Sequence, residues 1–131
     1  IKVKEIKSTQ VDDYANKVCI SIKGEGWSHT VSGAVFKKNE PRILSVNEYS
    51  LDIQPTGHIL LITHIDRPKL VGEVGMILGE RGVNIAGMQL DRERAGGKAM
   101  MILTIDHEVT TDVLAKIKTI KDIKTANYVA F

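Results

Sequence analysis

Cysteine is almost missing from these 131 residues, and the single thiol, Cys19, has no intrachain partner for a disulfide. With no CxxC and no Cys/His ligand spacing, a zinc site is excluded and a reducing, cytoplasmic setting is expected. Cys19 itself reads as a small buried strand residue. Aromatic residues make up only 5%, with none between Gly57 and Tyr128. That removes the stacking platform on which sheet-based RNA binders hold bases. No apolar run approaches the ~20 residues of a membrane span, and the start IKVKEIKSTQ lacks the apolar centre of a signal peptide. Neither a nucleic acid nor a membrane is therefore expected as a partner. No GxGxxG follows a strand, so a dinucleotide cofactor has no binding turn here. Ser28 and His29 are neighbours in a predicted strand and point to opposite faces, which excludes a nucleophile and base pair. The expectation is a chain with no catalytic residues and no metal site.

What remains is ordinary globular composition, 43% hydrophobic and 26% charged, with a net charge of only +2. That is enough for one compact domain or two small ones sharing a core. The first residue is Ile, so the chain is expected to be cut from something longer. Residues 1 to 56 read as strands and turns. Ile1 and Val3 alternate with Lys2 and Lys4, and Val18, Ile20 and Ile22 alternate with Cys19, Ser21 and Lys23, the period of a half-buried strand. Gly24-Glu25-Gly26 is a predicted hairpin turn into a strand over 28–36. Asn39-Glu40-Pro41 is a second turn, and Asn47-Glu48 joins two further strands.

Pro55-Thr56-Gly57 is the predicted boundary between domains at 1–56 and 57–131. Beyond it the pattern changes. A mostly apolar strand over 58–65 leads to a helix with Leu70, Val74, Ile77 and Leu78 on one face, ended by Gly82. A strand over 84–91 follows, with Ala86, Met88 and Leu90 on one side. Ala95-Gly96-Gly97 turns into a strand over 99–106, and a second helix, capped by Thr110 or Thr111, carries Val113, Ile117 and Ile120. Residues 125–131 close the chain as a strand. The fold class is α+β, an antiparallel β-rich segment followed by a ferredoxin-like βαββαβ unit. Its uncovered sheet face and edges favour an oligomer or a neighbouring domain.

The corner His64-Ile65-Asp66-Arg67-Pro68-Lys69 is the most specific local feature. Asp66 is expected to cap the helix and Pro68 to start it. A strand-to-helix corner of this kind aims free backbone N–H groups outward, a site for a carboxylate or another anion. Gly72, Gly75 and Gly79 each cost the helix about 0.8–1 kcal/mol relative to alanine. They either let the helix sit tightly on its own sheet or admit a partner subunit or ligand.

"HIDRP", the apolar helix and "GVNIA" over 82–86 resemble the ACT domain, a small-molecule sensing module of amino-acid metabolism. The segments "VSGAVFKKNEPRILSVNEYSLDIQPTGHILLITHIDRP" and "ERGVNIAGMQLDRE" resemble the C-terminal regulatory part of the D-3-phosphoglycerate dehydrogenase family. In its longer form an intervening allosteric substrate-binding domain precedes the ACT domain. The resemblance covers roughly residues 17–131. It implies a regulatory piece of an NAD-dependent oxidoreductase of L-serine biosynthesis, with NAD bound by upstream catalytic domains. It also implies a homodimer joined through ACT sheets edge to edge, with L-serine or a related amino acid held at the seam. Carried over to this sequence, the effector contacts are His64, Asp66 and Asn84, with the helix-start amides near Lys69 and Leu70 taking the carboxylate. The family usually has Gly where this chain has Lys69; a helical conformation there is open to Lys, and its ammonium could meet the carboxylate from the side. In the intervening domain Arg42, near Lys37 and Lys38, matches a basic position and is a candidate anion contact. The alternative is the ACT-containing portion of iron-sulfur L-serine dehydratase, which Ser28-His29-Thr30 superficially echoes without cluster cysteines.

Overall fold

The computed structural model describes residues 16–36 and 39–131. The strand expected around Ile1 and Val3, and Lys37 and Lys38, lie outside these residues. Four strands form an antiparallel meander in sequence order: β1 (Lys17–Gly24), β2 (Trp27–Phe36), β3 (Glu40–Val46) and β4 (Tyr49–Ile53). A two-residue turn joins β1 to β2, with Gly26 at φ 75°. Asn47, at φ 53°, turns β3 into β4. Its Oδ1 accepts the Thr30 N–H at 3.0 Å and its own N–H donates to Thr30 O at 2.7 Å, which pins the turn onto β2. Glu40 and Pro41 already belong to β3 rather than to the turn expected for them.

The alternation in β1 is real, yet all eight of its residues are exposed. Val18, Ile20 and Ile22 are each about three-fifths accessible, and Cys19 is exposed, contrary to the buried position expected of it. Periodicity reports that a strand has an apolar side; whether anything covers that side depends on the neighbouring layer. Here β3 and β4 supply the apolar side chains that pack on the second sheet, and β1 is an outer edge.

The second half is β5 (His58–Ile65), α1 (Leu70–Glu80), β6 (Ile85–Arg92), β7 (Lys98–Ile105), α2 (Thr111–Lys118) and β8 (Ile123–Ala130). Its antiparallel sheet has the order β6-β7-β5-β8, the ferredoxin-like arrangement. Leu70, Val74, Ile77 and Leu78 of α1, with Val113 and Ile117 of α2, bury against Leu60, Ile62, Met101 and Leu103. On the opposite face Ile59, Met100 and Ile102 pack on Tyr49, Leu51 and Ile53 of β4. The central strands are therefore covered on both sides, which is why they read as nearly continuous apolar runs. Each fully buried Leu or Ile contributes about 1.5–3 kcal/mol.

One helix terminus and one strand edge show the local logic. Gly82, at φ 68°, ends α1: its N–H donates to Gly79 O and the Val83 N–H to Leu78 O, both at 3.0 Å, the paired bonds of a Schellman motif. Side chains of β6 also satisfy the open edge of β4. The Asp52 N–H donates to Gln89 Oε1 at 3.0 Å and the Ser50 N–H to Asp91 Oδ2 at 2.8 Å. Polar residues on β6 thus fasten the first sheet to the second.

Candidate functional site

Strand register assembles the site at one end of the second sheet. On the helix-bearing face, Leu90, Met101 and Ile62 form one cross-strand row, and Arg92, Ala99 and His64 form the next. Ala99 is small and fully buried, and it separates the two larger polar side chains. The chain then leaves β5 through Asp66 and turns into α1.

His64 is only 2% exposed. Its Nδ1 lies 3.1 Å from Ile65 O, so Nδ1 carries the donated proton. Its Nε2 is buried without a hydrogen-bond partner among the described residues. In the neutral ring that atom is an acceptor, and leaving it unpaired costs about 1–3 kcal/mol. A ligand hydroxyl or ammonium would recover that energy. A cleft of about 420 Å³ borders the same strand end from the opposite, β4-covered face, lined by His64 and Ile65 together with Tyr49, Met100, Lys98 and Lys124.

Asp66 is not the helix cap expected of it. Its N–H donates to Gly97 O at 2.8 Å and its Oδ2 accepts from Arg92 Nη1 at 2.8 Å. The hydrogen bond from Arg92 holds its carboxyl below the usual carboxylate range, with the Gly96 N–H adding to the effect. Pro68 does not start the helix either. The N-cap is Lys69, which makes no side-chain capping bond and stands at φ 70°, ψ −18°. This left-handed conformation corrects the expectation of a helical Lys69. It also explains why glycine suits the position, since a Cβ crowds the backbone there. Leu70 is fully buried, so only its backbone N–H can serve a ligand.

The sequence reading missed the role of Arg67. All five of its N–H donors are used: Nε to Asp122 Oδ2 at 3.0 Å, Nη1 to Pro68 O and Glu73 Oε1 at 3.1 and 3.2 Å, and Nη2 to Glu73 Oε2 and Lys121 O at 2.7 and 3.1 Å. Hydrogen bonding to Arg67 pushes the Glu73 carboxyl down. Arg67 ties the corner to α1 and to the turn before β8, and it has no donor left for a ligand. Arg92 was also missed, because its relation to Asp66 arises from pairing across three strands.

Asn84 lies elsewhere. It precedes β6 at the opposite end of the sheet, where its Nδ2 donates to Asp106 Oδ2 at 2.8 Å. An eight-residue strand separates it from the corner, about 26 Å at 3.3 Å per residue. One chain alone does not bring Asn84 to His64 and Asp66. Arg42 forms an ion pair with Asp52 at 3.3 Å, so an anion there would compete with a carboxylate already in place. Ser28, His29 and Thr30 lie in β2, where His29 sits against the Trp27 ring at 5.4 Å between centroids.

The α1 glycines face open space. A Cβ added at Gly72, Gly75 or Gly79 would meet nothing within 4 Å, so tight packing on the chain's own sheet does not explain them. Val71 and Met76 on α1, and Met88 and Leu90 on the edge strand β6, are exposed. Among the described residues no group of three or more His, Cys, Asp or Glu is placed to hold a metal ion, and no helix is long and apolar enough to cross a membrane.

Comparison with known proteins adds to this geometry. The ACT domain family model matches residues 58–122. The D-3-phosphoglycerate dehydrogenase of Methanocaldococcus jannaschii is 39% identical over 117 residues, covering 89% of this chain and 22% of the relative. Those of Synechocystis sp. and Bacillus subtilis are each 32% identical, over 126 and 123 residues, covering 96% and 94% of this chain and 23% of each relative. The chain thus spans a quarter or less of the length of the curated relatives it matches.

Proposed function

Because residues 58–122 of this chain belong to the ACT domain family, we propose that it is the amino-acid-sensing, regulatory piece of a D-3-phosphoglycerate dehydrogenase. The observation that carries this reading is the buried Nε2 of His64, without a hydrogen-bond partner among the described residues, two residues before the Asp66 carboxylate, on which the His64 ring acts electrostatically. One is an acceptor for a hydroxyl or ammonium, the other a charge for an ammonium, and free helix-start amides lie next in the chain for a carboxylate. L-Serine, or a related small amino acid, has these three groups. Reaching Nε2 requires the corner to part by a side-chain movement.

Residues 1–56 are read as the end of an intervening domain and 57–131 as the ACT domain. The edge position of β6 supports a symmetric dimer through that strand. Antiparallel pairing of two β6 edges about a two-fold axis sets the start of one strand beside the end of the other. Asn84 of the partner subunit would then meet the His64 and Asp66 corner, completing the site with an amide donor and acceptor. The exposed Val71, Met76, Met88 and Leu90, and the open glycine face of α1, suit such a seam.

Effector binding would favour one arrangement of the two subunits and bias catalytic domains elsewhere in the parent enzyme, which is feedback control in thermodynamic terms. The oxidoreductase chemistry and the NAD it uses belong to those domains. The corner here, Asp-Arg-Pro-Lys, has none of the glycines a dinucleotide phosphate turn needs, so the residues of this chain do not fit that cofactor. Calorimetric titration of the full chain with L-serine tests the proposal. Saturable binding in the wild type, lost in Asn84→Ala with an unchanged circular dichroism spectrum, is expected. No heat and no thermal shift at millimolar serine, in a folded dimer, overturns it.

A further inference from the structure

We infer that Arg92 is a built-in competitor for the effector and sets the affinity of the site. This inference rests on the amino-acid-binding reading above and names a residue that controls it. The Arg92 guanidinium lies 2.8 Å from Asp66 Oδ2, occupying the one carboxylate at the corner that an effector ammonium would use. The arrangement is a product of register. Arg92 and His64 both pair with Ala99, so the three strands bring the guanidinium, the imidazole with its open Nε2 and the Asp66 corner to one place on the helix-bearing face.

The second cation at the corner, Arg67, has its five donors committed elsewhere and does not substitute. Arg92 is differently placed. Its side chain is about half exposed while the Asp66 side chain is only 18% exposed. The arginine can therefore swing into solvent at little cost, while the carboxylate stays with the corner. An ammonium entering the site displaces the guanidinium, and the measured affinity is the intrinsic affinity reduced by the occupancy of that internal pair. A partly exposed ion pair of this kind is worth roughly a two- to fivefold factor. The same logic gives selectivity: a ligand without an ammonium gains nothing from the release of Asp66.

The test is calorimetry on the full chain with L-serine and, as a probe without an ammonium, L-glycerate. Arg92→Met is expected to bind serine roughly two- to fivefold more tightly than the wild type. Glycerate binding is expected to be unchanged, and in an Asp66→Asn background Arg92→Met is expected to have no effect on serine. A merely structural role for Arg92 would not give this pattern, since general loosening weakens both ligands. Equal or weaker serine binding in Arg92→Met, with the wild type binding serine, overturns the competitor role and leaves the effector site standing. Absence of serine binding in both proteins overturns the effector reading and this inference together.

Discussion

Replacing Lys69 by glycine isolates a conformational cost in the structure. Lys69 caps α1 at φ 70°, where an L side chain is disfavoured by about 1–2 kcal/mol. Glycine removes that cost but loses more freedom on folding, a penalty of about 0.4–1 kcal/mol. The Lys69 side chain makes no hydrogen bond or ion pair among the described residues; its charge adds only the smallest of the effects that hold the Glu73 carboxyl down, so the backbone conformation dominates the balance. Lys69→Gly should therefore stabilise the chain by about 0.5–1 kcal/mol, or roughly 3 °C in Tm for a domain of this length. Lys69→Ala, which keeps a Cβ at the strained position, should stay within about 0.5 kcal/mol of the wild type. Lys69→Val should lose more than about 1 kcal/mol, because a branched Cβ is worse at positive φ. Urea unfolding of the four proteins gives the differences directly. A glycine variant less stable than the wild type, or a valine variant as stable, refutes the left-handed conformation and the account of the corner built on it.

Three further outcomes follow from the geometry. Gly75→Ala fills open space in a helix interior and should raise the stability of the monomer by up to about 1 kcal/mol. If the glycine face is the dimer seam, the same variant should weaken self-association in analytical ultracentrifugation; both quantities moving up together would remove the seam from that face. Acid should also destabilise the chain. The carboxyls of Glu73, Asp66, Glu80 and Asp112 are held below their ordinary values of 4.5 for Glu and 3.8 for Asp, chiefly by hydrogen bonds from Arg67, Arg92, Lys116 and Thr110 respectively. A depressed folded-state value gives stability that is complete above the unfolded value and is lost as pH falls through the folded one. Tm should therefore be level near neutrality and decline below about pH 4.5. Arg67→Met should lower Tm by several degrees at pH 7 and flatten the acid decline, and an unchanged slope would detach Glu73 from it.

The helices and most strand positions were legible because their signal is local. Leu70, Val74, Ile77 and Leu78 recur at the helical period and all four are buried. Gly82 terminates α1 through two backbone bonds within its own turn. The errors fell where a second layer decides. Cys19, Val18, Ile20 and Ile22 have the pattern of a half-buried strand, yet β1 lies beyond the layer that covers β3 and β4. Asp66 has the chemistry of a cap, but Lys69 takes that place and Asp66 turns to Arg92.

The sequence by itself determined the βαββαβ order, the apolar face of each helix and the presence of an unusual corner at 64–69. Those properties depend on residues within one or two turns of each other. Only the tertiary structure decided that Arg67 is fully committed, that Arg92 shares a row with His64, and that Asn84 stands a whole strand away from the corner. Hydrogen bonds and cross-strand neighbours between residues tens of positions apart follow from sheet order and register, which local periodicity leaves open.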